Sequence, residues 1–191
     1  MSTSLTPAKR QYRMWMNIVI GLAILIALFV IIVAMRPSGF RVSRSISIAA
    51  PPESVFGHVN ELRQWEHWSP WEKTDPSMKR IFEGPPSGVG AVYRWDGNNQ
   101  VGAGSNTIVE SQPNELVRFR LEMLRPYVGS NDVDFTFQPE SDGTKVTWTM
   151  VGNLNFITKI MDLVLGMDKM VGSQFQDGLN QLKAVAENKS K

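Results

Sequence analysis

The 191-residue chain contains no cysteine. That excludes disulfides, thiolate nucleophiles and cysteine-ligated zinc. Histidine is almost as scarce, with only His58 and His67. A zinc site needs three or four ligands, so neither a metal nor any other cofactor is expected. Acidic residues are missing from the first part of the chain, where Glu53 is the first. Up to residue 40 there are four basic side chains, Lys9, Arg10, Arg13 and Arg36. The remaining sixteen basic residues face all eighteen acids, so residues 41–191 are net negative. The basic pI therefore comes from the N-terminal appendage, and the pattern excludes a nucleic-acid-binding face on the rest. A complete glycine-rich phosphate loop is lacking too: Gly88-Val89-Gly90 and Gly102-Ala103-Gly104 read as turns or strand bends.

What is abundant is a single apolar run. Residues 17–35, "NIVIGLAILIALFVIIVAM", carry Asn17 as the only strongly polar side chain. As a helix they would be about 28 Å long, close to the hydrocarbon thickness of a bilayer. Tyr12 and Trp15 fall where an interfacial aromatic belt would lie. A cleaved signal has a shorter apolar core and a small-residue cleavage site, whereas this run ends "VAMRPSG". The expectation is an uncleaved single-pass anchor over 15–35, after an N-terminal tail (1–14) and before a linker (36–40). Lys9, Arg10 and Arg13 favour a cytoplasmic N-terminus, with the domain outside the inner membrane if the source is bacterial.

Residues 41–191 form the folded domain, of class α+β. "RVSRSISIA" alternates as a half-buried strand does, and Pro51-Pro52 marks a helix start. Two short helices are expected over 53–67, broken near Asn60. Six strands follow from residue 78, separated by turn clusters such as Asp96-Gly97-Asn98-Asn99 and Asp142-Gly143. They place Phe119, Leu121 and Met123 on one face, as they do Val133, Phe135 and Phe137, and Val146, Trp148 and Met150. From Phe156 to Ala186 an apolar stripe of helical period runs through Ile160, Leu163/Val164, Met167, Met170/Val171, Phe175, Leu179 and Leu182. Gly166, Gly172 and Gly178 interrupt it, as if leaving room for something close by. A sheet of about seven antiparallel strands and one long C-terminal helix can bury each other's apolar faces.

This order, with "WEHWSPW", "GAVYRWDGNNQVGAGSNTIVESQPNELVRFRL", "GTKVTWTMVG" and "MDKMVGSQFQDGLNQLK", resembles the SRPBCC superfamily (START-like, helix-grip), in particular its polyketide cyclase/dehydrase-type bacterial members. The resemblance covers residues 41–188. It implies a cavity between sheet and long helix for a hydrophobic or amphipathic small molecule, and it leaves the apolar N-terminal run unexplained.

The stretch "LRQWEHWSPW" spaces Trp65, Trp68 and Trp71 by three around His67. Large rings with an N–H to satisfy suit a wall or an entrance lid better than a reaction centre. Tyr93 and Trp95, Phe119 and Met123, and Phe135, Trp148 and Met150 can line the sheet side of a cavity. Met167, Met170 and Phe175 can line the helix side, with methionine adapting to varied ligand shapes. Asp132 and Asp134 share the opposite strand face and are expected in solvent. No acid or base has a spacing that argues for catalysis. The expected function is a membrane-anchored binding module for a lipid-like or polyketide-like molecule. A cyclase- or hydrolase-like enzyme on such a ligand, or an interaction domain with a filled core, are the alternatives.

Overall fold

A computed structural model describes residues 7–188. It contains helix α1 (Pro7–Met35), strand β1 (Gly39–Ile48), helix α2 (Pro52–Asn60), a 3-10 segment (Leu62–His67) and helix α3 (Pro70–Thr74). Strands β2 (Lys79–Glu83), β3 (Val92–Asp96), β4 (Ala103–Gln112), β5 (Leu116–Arg125), β6 (Gly129–Glu140) and β7 (Gly143–Asn153) follow. Helices α4 (Phe156–Leu165) and α5 (Met167–Asn188) close the chain. The apolar helix starts at Pro7, inside the expected tail, and residues 1–6 of that tail lie outside the described residues.

The seven strands form one antiparallel sheet in the order β1-β7-β6-β5-β4-β3-β2. Consecutive strands from β2 to β7 pair as neighbours, and β1 returns to the edge of β7. One face is buried beneath α2, the 3-10 segment and α5, whose Phe175, Leu179 and Leu182 are fully or almost fully buried with Val42, Val117, Phe119, Phe135, Val146 and Trp148. The other face is charged and self-paired. Arg118 bridges Glu110 (2.5 Å) and Asp134 (2.8 Å), and Arg120 meets Asp132 at 3.0 Å. Asp132 and Asp134 thus stand on the outer face, in cross-strand ion pairs of the kind worth at most about 1 kcal/mol each in water.

The C-terminal stripe is not one helix, and that corrects the sequence expectation. Gly166 adopts φ +73° and ends α4, its N–H bonding back to the Asp162 carbonyl. A left-handed glycine after the last helical turn is a common stop signal. Only the part from α5 onward faces the sheet. There Gly172 and Gly178 make room for side chains. A Cβ at Gly172 would fall 2.0 Å from the Arg44 guanidinium, and one at Gly178 would fall 2.8 Å from the Trp148 ring and 3.0 Å from Pro70. Arg44 in turn holds the start of α5 through both oxygens of Asp168, at 3.0 and 2.9 Å.

Candidate ligand site on the inner face of the sheet

Because side chains alternate along each strand, the register sorts the inner face into cross-strand rows. One row runs Trp148, Phe135, Val117, and the next Val42, Met150, Val133, Phe119, Ile108. Both rows are buried. The third runs Phe40, Gly152, Asn131, Leu121, Asn106, Tyr93, Phe82 across all seven strands. A fourth holds Met123, Gly104 and Trp95. In the third row only Asn106 and Tyr93 are buried; Phe40, Asn131, Leu121 and Phe82 stay partly exposed, as do Met123 and Trp95 of the fourth. The inner face is therefore sealed at one end and half open at the other.

Aromatic rings make the seal. Trp148 stacks on Phe175 of α5 with centroids 4.1 Å apart and planes 9° from parallel. Phe135 lies 4.6 Å from Trp148, and Trp65, Trp68 and Trp71 all meet its ring edge-on at 5.8–6.5 Å. The three-residue spacing of "LRQWEHWSPW" has a second consequence. Trp65 Nε1 donates to the Val59 carbonyl (2.9 Å) and Trp68 Nε1 to the His58 carbonyl (3.0 Å). These belong to the last turn of α2, whose carbonyls have no intrahelical donor. Two indoles thus cap one helix while filling the core beneath it. Trp148 differs: its Nε1 is buried with no hydrogen-bond partner among the described residues.

The open end is apolar with polar points. Trp95 lies across Gly104, where a Cβ would come within 2.7 Å of the indole. Asn131 Oδ1 sits over Gly152, where a Cβ would fall 1.9 Å from it. Neither the Asn106 nor the Asn131 side-chain amide has a hydrogen-bond partner among the described residues. Both amides therefore offer free donors and acceptors within a surface of Leu121, Met123 and Trp95.

A polar cluster that the spacing did not reveal borders this row. Glu72 of α3 is buried, and one of its oxygens takes Arg80 Nε at 2.8 Å and Nη2 at 2.5 Å. Its other oxygen accepts the Tyr93 hydroxyl at 2.8 Å. Burial first, then the bond to Glu72, push the Tyr93 phenol far above the usual tyrosine range near 10. A phenol held protonated in this way cannot serve as a base near neutral pH, and the carboxylate is already matched by Arg80. The cluster is a clamp between α3 and the β2–β3 edge. Its raised folded-state pKa contributes stability that is complete below about pH 10 and is lost as pH rises toward the folded value. Thermal midpoints of the full chain should therefore fall above about pH 10, and Tyr93→Phe should flatten that fall. An unchanged alkaline limb in Tyr93→Phe would remove the assignment.

Of the residues expected to line a cavity, Trp65, Trp68, Phe119, Phe135, Trp148 and Phe175 meet in the sealed cluster. Trp71 packs on its rim. Tyr93, Trp95 and Met123 border the open rows, with Met150 in the buried row beside them. Met167 is partly buried against the core, and Met170 is exposed, its side of α5 turned outward. A surface pocket of about 170 Å³ lies at the β2 edge of the sheet, where the third row ends at Phe82, and is lined by Leu62, Arg63 and Pro85 as well. Leu121, Asn106, Asn131 and Glu72 are the residues that sequence reasoning missed as site members. The alternation around Phe119 and Met123 already implied Leu121, but isolated asparagines and a glutamate on a five-residue helix carry no spacing signal.

A seven-stranded antiparallel sheet with its helices gathered on one face, closed by a C-terminal helix, defines the helix-grip class. Within it, residues 39–187 match the family described as "Polyketide cyclase / dehydrase and lipid transport", and the chain belongs to that family. Solved structures agree on the fold. Protein CV1439 from Chromobacterium violaceum is 18% identical with a TM-score of 0.57, over 80% of this chain and 99% of that one. The Aha1 dimer from Colwellia psychrerythraea is 18% identical with a TM-score of 0.56, over 78% and 96%. The di-domain ARO/CYC StfQ from the steffimycin biosynthetic pathway is 11% identical with a TM-score of 0.59, over 80% of this chain and 52% of that one. No curated protein matches the chain.

Proposed function

We propose that this chain is a membrane-anchored binding module that holds a hydrophobic or amphipathic small molecule between the inner sheet face and the C-terminal helices. The observation that carries the reading is the half-open third row, where two unpartnered amides, Asn106 and Asn131, flank Leu121 on an otherwise apolar surface. An apolar surface with a few convergent polar groups is what small-molecule sites are built from. The family description, which joins polyketide cyclases with lipid transport, fits a lipid-like or polyketide-like ligand.

The anchor is α1. From Arg10 to Met35 only Val33 is buried, so this long apolar helix is not a core element of the domain. So much exposed apolar surface is stable in lipid and unfavourable in water. Tethering keeps the site at high effective concentration beside a lipid reservoir.

Native mass spectrometry of the full chain in a non-ionic detergent, repeated after organic extraction, tests the binding reading. The expected result is one bound amphiphile that is lost in Leu121→Trp, because the larger ring fills the row while the thermal midpoint holds. Equal retention in that variant, or a chain that binds neither amphiphile nor apolar dye, would sink the site. Alkaline carbonate should leave the chain, at its full mass, in the membrane pellet.

A further inference from the structure

Helix α4 is inside out. Its charged residues point into the protein: Lys159 is buried and donates to the Arg36 carbonyl at 2.7 Å. Asp162 accepts the Met167 N–H at 2.9 Å and lies 3.7 Å from the Arg36 guanidinium. Four of its apolar residues point out, with Phe156 at 44%, Ile157 at 58%, Leu163 at 42% and Val164 at 72% exposure, while Ile160 and Met161 are half-buried. In water this arrangement is the wrong way round, and it becomes favourable if an apolar medium lies beneath the helix. The position of α4 says which medium. Helix α4 packs on α1, and both contacts to Arg36, directly after the apolar run ends, hold it there.

A second apolar cluster lies at the same end of the sheet. Strand β1 begins where β7 ends (Gly39 opposite Asn153), and β6 begins and β5 ends beside them. The end of β5 and the β5–β6 connection there expose Leu124 (62%), Tyr127 (42%) and Val128 (77%). Resting on the anchor reading of α1, we propose that α4 and the β5–β6 connection together form a docking surface that lies in the interface of the same bilayer that α1 crosses. The open rows of the inner face then end at the lipid surface, because Met123 pairs with Gly129 at this edge. Ligand would pass between bilayer and sheet without crossing bulk water.

The cysteine-free chain allows single labels. An environment-sensitive fluorophore would be placed on Ile157→Cys, Val128→Cys, Val89→Cys and Leu25→Cys of the full chain, in phosphatidylcholine–phosphatidylglycerol vesicles. Val89 is exposed at the opposite end of the sheet, and Leu25 lies mid-way along the apolar run. Labels at 157, 128 and 25 should shift to shorter emission wavelength and be quenched by doxyl-bearing lipid, while the label at 89 stays in water. Quenching at 25 with 157 and 128 as wet as 89 would overturn the docking surface and leave the anchor standing. No quenching at 25 would overturn both.

Discussion

Trp148→Ala should lower the unfolding free energy by about 3–5 kcal/mol, the range found for removing a large buried aromatic side chain. For a domain of this size that moves the thermal midpoint by on the order of 10 °C. The reason lies in the number of elements that meet on one ring: Phe175 from α5, Phe135 from β6, Trp65 from the 3-10 segment, Trp68 from the turn just after it, and Trp71 from α3. No small movement of one element can fill the cavity left behind, since each is also tied to the others. Two milder variants separate packing from hydrogen bonding. Trp148→Phe keeps a stacked ring and removes an N–H that has no partner, so part of the lost volume is offset by relief of an unsatisfied donor. Trp68→Phe removes a similar volume together with the bond to the His58 carbonyl, and should cost about 1–2 kcal/mol more. Thermal melts of the three variants, read by tryptophan emission and circular dichroism, make the comparison. Equal losses in Trp68→Phe and Trp148→Phe would mean that the capping bond is energetically silent.

The sheet was legible because its signal is local. Alternation fixes which side chains share a face, and the faces of β5, β6 and β7 read from Phe119, Phe135 and Trp148 are those observed. The C-terminal helix was harder for a physical reason. Periodicity shows that Leu163, Val164 and Met167 continue the stripe of Phe175 and Leu179, but not that Gly166 turns the chain and frees α4 to face elsewhere. Leu163 and Val164 are exposed as a result. An apolar stripe reports that something apolar lies opposite and is silent on whether it is a sheet or a bilayer. The spacing of Trp65, Trp68 and Trp71 was plain in the sequence, while the capping of α2 by Trp65 and Trp68 required the position of two carbonyls. Glu72 was invisible for a related reason: its partners Tyr93 and Arg80 come from strands that only the fold brings to it.

Glu72→Ala should cost about 3 kcal/mol, the lower end of the range for breaking a buried ion pair. Arg80 retains some exposure and can turn toward water, which limits the loss. The Tyr93 hydroxyl has no such escape, being buried with Glu72 as its acceptor. Tyr93→Phe alone removes one hydrogen bond and should cost about 1 kcal/mol. If the clamp acts as a unit, the double variant costs less than the sum of the two, because one partner's loss has already stranded the other. Glu72→Gln keeps an acceptor for Tyr93 and loses the charge match to Arg80, so its cost reports the ion pair separately. Denaturant titrations of these four variants and the unsubstituted chain measure these differences directly, and a Glu72→Ala loss below about 0.5 kcal/mol would place the cluster among ordinary surface pairs. The consequence reaches the site as well as the stability. Glu72 follows Trp71 on α3, and Tyr93 stands beside Asn106 in the half-open row. Loosening the clamp frees the wall and the row edge together, so Glu72→Ala should weaken ligand retention more than Trp68→Phe does, even where the two lose similar stability.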